Sequence, residues 1–424
     1  MTNVRQSRNL ICGLSLGAAT AALAIASMLI VVAAQPAQAQ TYTVIHTFTG
    51  GQDGGTPRSG LTIKAGNLYG TAYNGGVGYG TVYQLKHKGA GWTFTPLYTF
   101  KGFGNGGDGA NPEARVIFGP NGTLYGTTNL GGLGVGTVFN LRPAARACTA
   151  ALCPWTETVL HSFYGNPDGE GPGYGDLIFD KAGNIYGTTS NGGNGSNDGT
   201  VYELTPKAGG GYTEMPIYSF SGSDGAFPQN GVIFDNAGNL YSTTINGGLS
   251  ISYGTVFELT KSIGWTESLP YSFQGGNDGG YPYAGLIFDP SGNLYGATSD
   301  FGTGGGGTVF ELSPSGDSWT YNVLYSFAGT ADHQCGPWGT LVMDGAGNLY
   351  GTTYCDGANG YGNVFELSPL NGGWIYMDLY DFTGGNDGGN PVSNVVFDAS
   401  GNLYGTASTG GTHNVGVVWE ITFP

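Results

Sequence analysis

The stretch "GLIFDPSGNLYGATSDFGTGGGGTVFELSPSGDSWTYNVLYSF", residues 285–327, decides the fold. It holds four apolar runs: "GLIFD" (285–289), "NLYGAT" (293–298), "GTVFEL" (307–312) and "WTYNVLYSF" (319–327). Each is rich in Val, Ile, Phe, Tyr and Thr and is bounded by Gly, Asn, Asp or Pro, which is strand chemistry with hairpin connections. In "DPSGNLY" the first two runs are joined by a tight turn, with Gly292 free to take positive φ. No segment after residue 40 sustains a helical period.

The same unit recurs along the chain. The tyrosine of "GNLYGT" falls at Tyr69, Tyr125, Tyr186, Tyr241, Tyr295, Tyr350 and Tyr404, with successive gaps of 56, 61, 55, 54, 55 and 54 residues. Length alone would suggest two or three domains, but repetition at this spacing overrides that prior. Four antiparallel strands in each of seven units predict an all-β, seven-bladed β-propeller. A lone four-stranded unit with two apolar faces cannot hold itself together; radial packing buries both faces. The chain ends predict how the ring closes. "TYTVIHTF" (41–48) matches the fourth run of other copies, such as "TETVLHSF" (156–163), while "GVVWEI" (416–421) is a third run with no fourth after it. The N-terminal strand is therefore expected to complete the last blade.

The pattern "DxxGNLYGTT…GG…GTVFEL" resembles the GloVer tandem repeat of exported bacterial proteins and, more distantly, NHL-type propeller repeats; the resemblance covers residues 41–424. It implies a secreted or surface repeat domain and supplies no catalytic residues. Such domains are often followed by C-terminal sorting signals. This chain closes on "WEITFP" with no apolar tail, so no C-terminal anchor is expected.

The N-terminal 39 residues read as an export signal. Arg5 and Arg8 give the positive end, an apolar run extends from Leu10 to Ala34, and Ala37-Gln38-Ala39 is a small-residue cleavage site. Cleavage after Ala39 would leave residues 40–424 as a single propeller. The run is long enough to span a bilayer at roughly 1.5 Å per residue, so an uncleaved membrane anchor is the rival reading. Either places the rest of the chain outside the cytoplasm: secreted, periplasmic or at the cell surface.

With 82 glycines and 20 prolines the composition nears the low-complexity range. The 27 Tyr, 21 Phe and 7 Trp argue instead for a packed fold. Only 10% of residues are charged, so stability must rest on apolar and aromatic packing. Net charge is −16, and loss of Arg5 and Arg8 would make it −18. So acidic a surface repels phosphate backbones, which argues against nucleic acid as a partner. Glycans or surface proteins remain as partners; a monomer and no cofactor are expected.

Within this frame one aspartate recurs in every connection between blades: Asp53, Asp108, Asp168, Asp224, Asp278, Asp332 and Asp387. Chain direction puts these connections at the same mouth as the glycine-rich loops "NGGVGYG" (74–80), "LGGLGVG" (130–136) and "DFGTGGGG" (300–307). Two readings compete. The aspartate caps backbone N–H groups of its own turn while the following proline fixes the start of the inner strand, or the ring of carboxylates binds a cation or sugar hydroxyls. D-G-x-x-P lacks the alternating oxygen ligands of a calcium loop, and uniform repetition favours the first reading. The "FD" aspartates (Asp180, Asp235, Asp289, Asp344, Asp398) and the "FEL" glutamates read likewise as partners within the fold.

Departures from the repeat are the better candidates for function. Copy six carries "GTADHQCGPWG" (329–339), which brings Asp332, His333, Cys335 and Trp338 into one loop; Cys355 follows in the next loop at the same mouth. In an exported chain a Cys335–Cys355 disulfide is expected ahead of a Cys–His catalytic pair. Cys148 and Cys153, in the insertion behind the 61-residue gap, are expected to pair with each other. The two pairs fall on opposite faces, which disfavours a four-cysteine zinc site. His46 and His161 stand where other copies have tyrosine and read as packing variants; His413 lies in a loop at the same mouth as His333, and a metal between them is undetermined.

These readings leave three functions. The first is a binding or interaction module for glycans or proteins, with Asp53, Asp108, Asp168, Asp224, Asp278, Asp332, Asp387, His333, His413 and Trp338 as candidate ligand residues. The second is an extracellular hydrolase or lyase working from the same mouth, by analogy of fold alone. The third is a purely structural surface repeat, which predicts no concave pocket at either mouth.

Overall fold

The computed structural model describes residues 40–89, 91–103, 107–144, 155–249, 253–329 and 334–424. The leader, Asp332, His333, Cys148 and Cys153 lie outside the described residues. The chain divides into Tyr42–Thr422 and a remainder, Met1–Thr41 with Phe423–Pro424. The described strands form seven four-stranded antiparallel sheets. Six contain strands consecutive in the chain; the seventh joins Thr41–Thr47 to Val417–Thr422, then Leu403–Ala407 and Val396–Phe397. The expected seven blades and the expected closing strand are both present.

The blade of residues 285–327 shows why these residues make these strands. Its innermost strand is only Ile287–Phe288, paired to Leu294–Thr298 with Ile287 opposite Tyr295. The turn between them is closed by Gly292 N–H on the Asp289 carbonyl (3.1 Å), with Gly292 at φ 88°. Asp289 accepts from the N–H groups of Ser291 and Asn293 at 2.8 and 2.9 Å, which explains the repeated "FDxxGN".

The second strand of every blade but the first is buried at all its positions rather than at alternate ones, because a neighbouring blade covers each face. Its glycine answers a packing need. A Cβ on Gly296 would meet the ring of Phe310 at 2.5 Å, and one on Gly405 would meet Trp419 at 2.3 Å. The "G" of "LYGT" thus makes room for the aromatic of "GTVF" on the adjacent strand.

Between blades the packing is apolar. Ala284, Tyr295, Val309 and Phe327 of one blade meet Leu341, Leu349, Phe365 and Leu367 of the next. The same cluster closes the ring, where Phe48, Tyr404 and Val418 meet Leu61, Leu68, Tyr83 and Leu85. Polar contacts repeat across the interfaces as well. Threonine hydroxyls of the second strand donate to the next blade's inner segment: Thr188 to Asn230 O (2.9 Å), Thr352 to Ser393 O (3.1 Å) and, across the seam, Thr406 to Ser59 O (3.0 Å). The residue before each proline is pinned to the preceding blade's loop, as in Phe227 N–H to Asp198 O (2.8 Å). Thr56 N–H on Val415 O (2.6 Å) repeats that bond at the seam. Six of these pre-proline residues adopt positive φ: Gly171 and the non-glycine Thr56, Asn111, Phe227, Tyr281 and Asn390. For bulky Phe227 and Tyr281 this is costly backbone, accepted because it turns the chain into the inner strand.

Candidate ligand-binding channel

The six described turn aspartates serve their own turns. Asp53 accepts from Thr49 N–H (2.9 Å), Asp224 from Ser221 N–H (2.8 Å), Asp278 from Gln274 N–H (2.8 Å) and Asp387 from Thr383 N–H (2.8 Å). Asp108 and Asp168 do the same with Lys101 and Tyr164. Each also receives the polar end of the "LYSF" position. Tyr218, Tyr271 and Tyr380 donate hydroxyls to Asp224, Asp278 and Asp387 at 2.6, 3.0 and 3.0 Å. His161 and His46 face Asp168 and Asp53 from the same place, at 3.0 and 3.3 Å. His161 is therefore more than a packing variant, its imidazole nitrogen reproducing the tyrosine's contact, whereas His46 Nε2 lies near Asp53 without a hydrogen bond to it. His413 is exposed, 3.0 Å from the Thr412 hydroxyl.

The structure opens instead at the centre of the ring. All seven blades line a channel of about 910 Å³, and such a cavity runs against the purely structural reading. Its wall is built by the residues that follow the proline of each inner segment. There the repeat stops repeating: the position after proline is Arg58, Glu113, Gly173 (followed by Tyr174), Gln229, Tyr283, Trp338 and Val392. Strand alternation explains the geometry. The first and third residues after proline line the channel in most blades, while Ala284, between two of them, packs into the cluster shared with the next blade.

One side of the wall is polar. Arg58 pairs with Glu113 and lies 4.3 Å over the ring of Tyr73. Arg115 holds Asp176 twice through its guanidinium, at 2.9 and 2.8 Å, and once through its N–H at 2.9 Å. The Asn129 amide donates to Glu113 (3.2 Å) and to the Tyr174 hydroxyl (3.4 Å). Burial raises the Glu113 carboxyl above its ordinary range, an effect Arg58 opposes. Tyr174 is pushed up to about 12 by burial and by the Glu113 charge. Tyr174 and Asp176 reach the channel because their segment, Pro172 to Leu177, is one residue longer than its counterparts. The hydroxyl of Thr127, on the preceding blade, is left without a partner there.

The opposite side is aromatic. Trp338 is stacked between Tyr283 (centroids 4.4 Å apart, planes 5° off parallel) and Tyr354 (4.8 Å, 27°), and its indole N–H donates to Gln334 O (3.1 Å). The expected Cys335–Cys355 disulfide is formed. It joins the segment carrying Trp338 to the residue after Tyr354 and so ties together the two loops that hold the stack. Across a separation of 20 residues this closure stabilises by about 3 kcal/mol in the chain-entropy model. We expect Cys335→Ser/Cys355→Ser to lower the unfolding free energy by about that amount, read from urea midpoints; unchanged midpoints would refute the assignment of a stabilising clamp.

A second cluster lies at the blade interfaces. The outer-strand position that holds Tyr42, Phe94, Tyr321 or Tyr376 in four blades, each ring stacked on the preceding blade's Tyr or His, is glutamate in the other three: Glu157, Glu214 and Glu267. Each has a buried Oε1 with no hydrogen-bond partner. Beside Glu214, His161 and Asp168 bring ligand atoms within 4.8 Å of one another, a donor set that suits a divalent ion in type. The geometry is equally that of a protonated carboxyl against a carboxylate.

Of the residues singled out from sequence, Trp338 lies in the channel wall, and the six described turn aspartates do not. Arg58, Glu113, Arg115, Tyr174, Asp176, Gln229 and Tyr283 were missed. Superposing the seven copies at their prolines would have exposed them as the variable position of an otherwise regular unit.

The fold and its open centre define the class, a seven-bladed propeller with a lined axial channel. Its repeat model matches residues 30–251 and 228–424, and the chain belongs to the Gloeobacter/Verrucomicrobia repeat family. No curated protein matches the sequence. Solved structures with a similar fold include PorZ, a bacterial surface component of the type-IX secretion system of Porphyromonas gingivalis, at 15% identity and TM-score 0.49. That match covers 84% of this chain and 46% of PorZ, so this chain spans less than half of PorZ's length. A proposed 6-phosphogluconolactonase from Bacteroides uniformis is 14% identical over 80% of this chain and 95% of its own, with TM-score 0.48. A proposed oxidoreductase (glucose dehydrogenase) from Thermus thermophilus is 15% identical over 72% and 95%, with TM-score 0.41. Among the described residues no helix is long and apolar enough to cross a membrane.

Proposed function

We propose that residues 40–424 form an exported binding module whose ligand occupies the axial channel, and that residues 1–39 direct its export. One observation carries this reading. A fold requirement recurs in each copy, as the turn aspartates do, whereas an asymmetric ligand contacts each blade differently. The position after proline differs from blade to blade around a cavity of about 910 Å³, within the size range of small-molecule sites. The test is a screen of glycans and candidate surface proteins against wild type and Gln229→Ala, whose side chain supports no packing core. Binding lowered about tenfold or more by the substitution, about 1.4 kcal/mol, is the expected result. A partner bound equally well by both proteins would place the site elsewhere.

An extracellular hydrolase or lyase is the second reading. It draws on Glu113, a buried carboxyl held above its ordinary range within the channel and beside a guanidinium. Turnover of a polymer substrate that disappears in Glu113→Gln, with the fold intact, would favour it over simple binding.

A further inference from the structure

Given that the channel is the binding site, on which this step rests, we infer that its ligand is a neutral oligosaccharide. Three features of the wall converge on that class. The first is charge balance. Arg58 and Arg115 are matched by Glu113 and Asp176, so the polar side has two cations, two anions and no net charge to offer an ionic ligand. Around it the exported chain stands at −18 (−16 less Arg5 and Arg8), which repels polyanions such as uronic-acid polymers.

The second is hydrogen-bonding type. Guanidinium–carboxylate pairs present donors and acceptors side by side, and a sugar's vicinal hydroxyls, each a donor and an acceptor, fit that alternation. Gln229 and Asn394 add amides of the same dual character to the wall. The third is the aromatic stack of Tyr283, Trp338 and Tyr354, already assembled and tied by a disulfide. Trp338 is covered on both faces by its neighbours, so the outer faces of Tyr283 and Tyr354 carry the negative quadrupole that draws the polarised C–H face of a pyranose, and preassembly spares the ligand an ordering cost. A channel of about 910 Å³ suits several sugar units rather than one.

Isothermal titration and Trp fluorescence with the chain of residues 40–424 test this. The probes are neutral hexose oligosaccharides of four to six units (roughly drug-sized ligands), uronic-acid oligomers of equal length, and a random peptide pool. We expect neutral oligosaccharides to bind with Kd of roughly 10 µM to 1 mM, unchanged between about 0.05 and 0.5 M salt, and weakened about tenfold or more by Gln229→Ala and by Tyr283→Ala. Uronates or peptides bound in preference and lost in Gln229→Ala would overturn the ligand class while leaving the channel as the site. Neutral oligosaccharides bound equally by wild type and both variants would overturn the channel itself. No oligosaccharide binding at millimolar concentration would overturn the inference. Unchanged circular dichroism of Gln229→Ala keeps the comparison valid if Tyr283→Ala fails to fold.

Discussion

Deleting residues 41–48 should abolish cooperative folding of the propeller, and Phe48→Ala alone should cost about 3–5 kcal/mol. Phe48 is fully buried and sits in the cluster that joins the last blade to the first. Tyr42 stacks on Tyr380 at 3.7 Å, and its hydroxyl donates to Asp387 O at 2.5 Å. Phe48 N–H is held by Gly416 O at 3.1 Å. Without these residues the strand Val417–Thr422 becomes an unpaired edge, and the buried Trp419 loses a neighbour, Tyr42, 6.1 Å away. Loss of the whole strand adds to the Phe48 cost and is large against the 5–15 kcal/mol that typically separates native from unfolded chains. Urea unfolding of the truncated chain should therefore show no sharp transition, and a peptide of residues 41–48 added in trans should restore one by strand addition. A truncated protein that unfolds cooperatively with the wild-type midpoint would mean that the ring does not depend on this closure.

The closing strand was legible because it repeats: "TETVLHSF" and "TYTVIHTF" differ little, and the missing fourth run of the last copy has one place to be supplied from. The same holds for the turn caps of Asp289 and of the connecting aspartates, whereas the packing of Gly296 under Phe310 and the tyrosine–aspartate pairs at four connections take their meaning only from the structure. A constraint of the fold acts on every copy and shows up as a periodic residue. The channel wall is the opposite case. Arg58 and Glu113 are 55 positions apart, become neighbours only when blades pack radially, and share no residue type with Gln229 or Trp338. Looking for unusual loops found Trp338 by way of the cysteines beside it but passed over Tyr283, which sits in an ordinary copy. The interface glutamates were hidden for another reason. Glu157, Glu214 and Glu267 fall on outer strands, where alternating exposure makes a charged residue unremarkable until the neighbouring blade's aspartate is placed against it.

Those glutamates set the second large effect: the propeller should lose stability as pH rises from about 5 to about 8, and replacing all three by glutamine should remove much of that loss. Burial, reinforced by the facing aspartate, pushes Glu157 up to about 8 beside Asp108, Glu214 to about 9 beside Asp168, and Glu267 to about 7 beside Asp224. Lys101 opposes the shift at Glu157, while Tyr98, Tyr218 and His161 hold the three aspartates. The unfolded carboxyl releases its proton near 4.3. Between that value and the folded one the native state binds more protons, so the derivative of unfolding free energy with pH is negative and stability falls across the window. His46, held low by burial, works in the other direction below about 6.5 and remains in the variant. Each glutamate is only partly buried, so screening limits the effect to about 1 kcal/mol per site, or roughly 2–4 kcal/mol for the three. Urea midpoints of wild type and Glu157→Gln/Glu214→Gln/Glu267→Gln at pH 5 and pH 8 decide the matter. The variant should gain stability over wild type at pH 8 and little at pH 5, because glutamine takes the neutral carboxyl's place without a proton to lose. Parallel curves for the two proteins would mean the glutamates are ionised in the folded ring, their charge neutralised by something other than a shared proton.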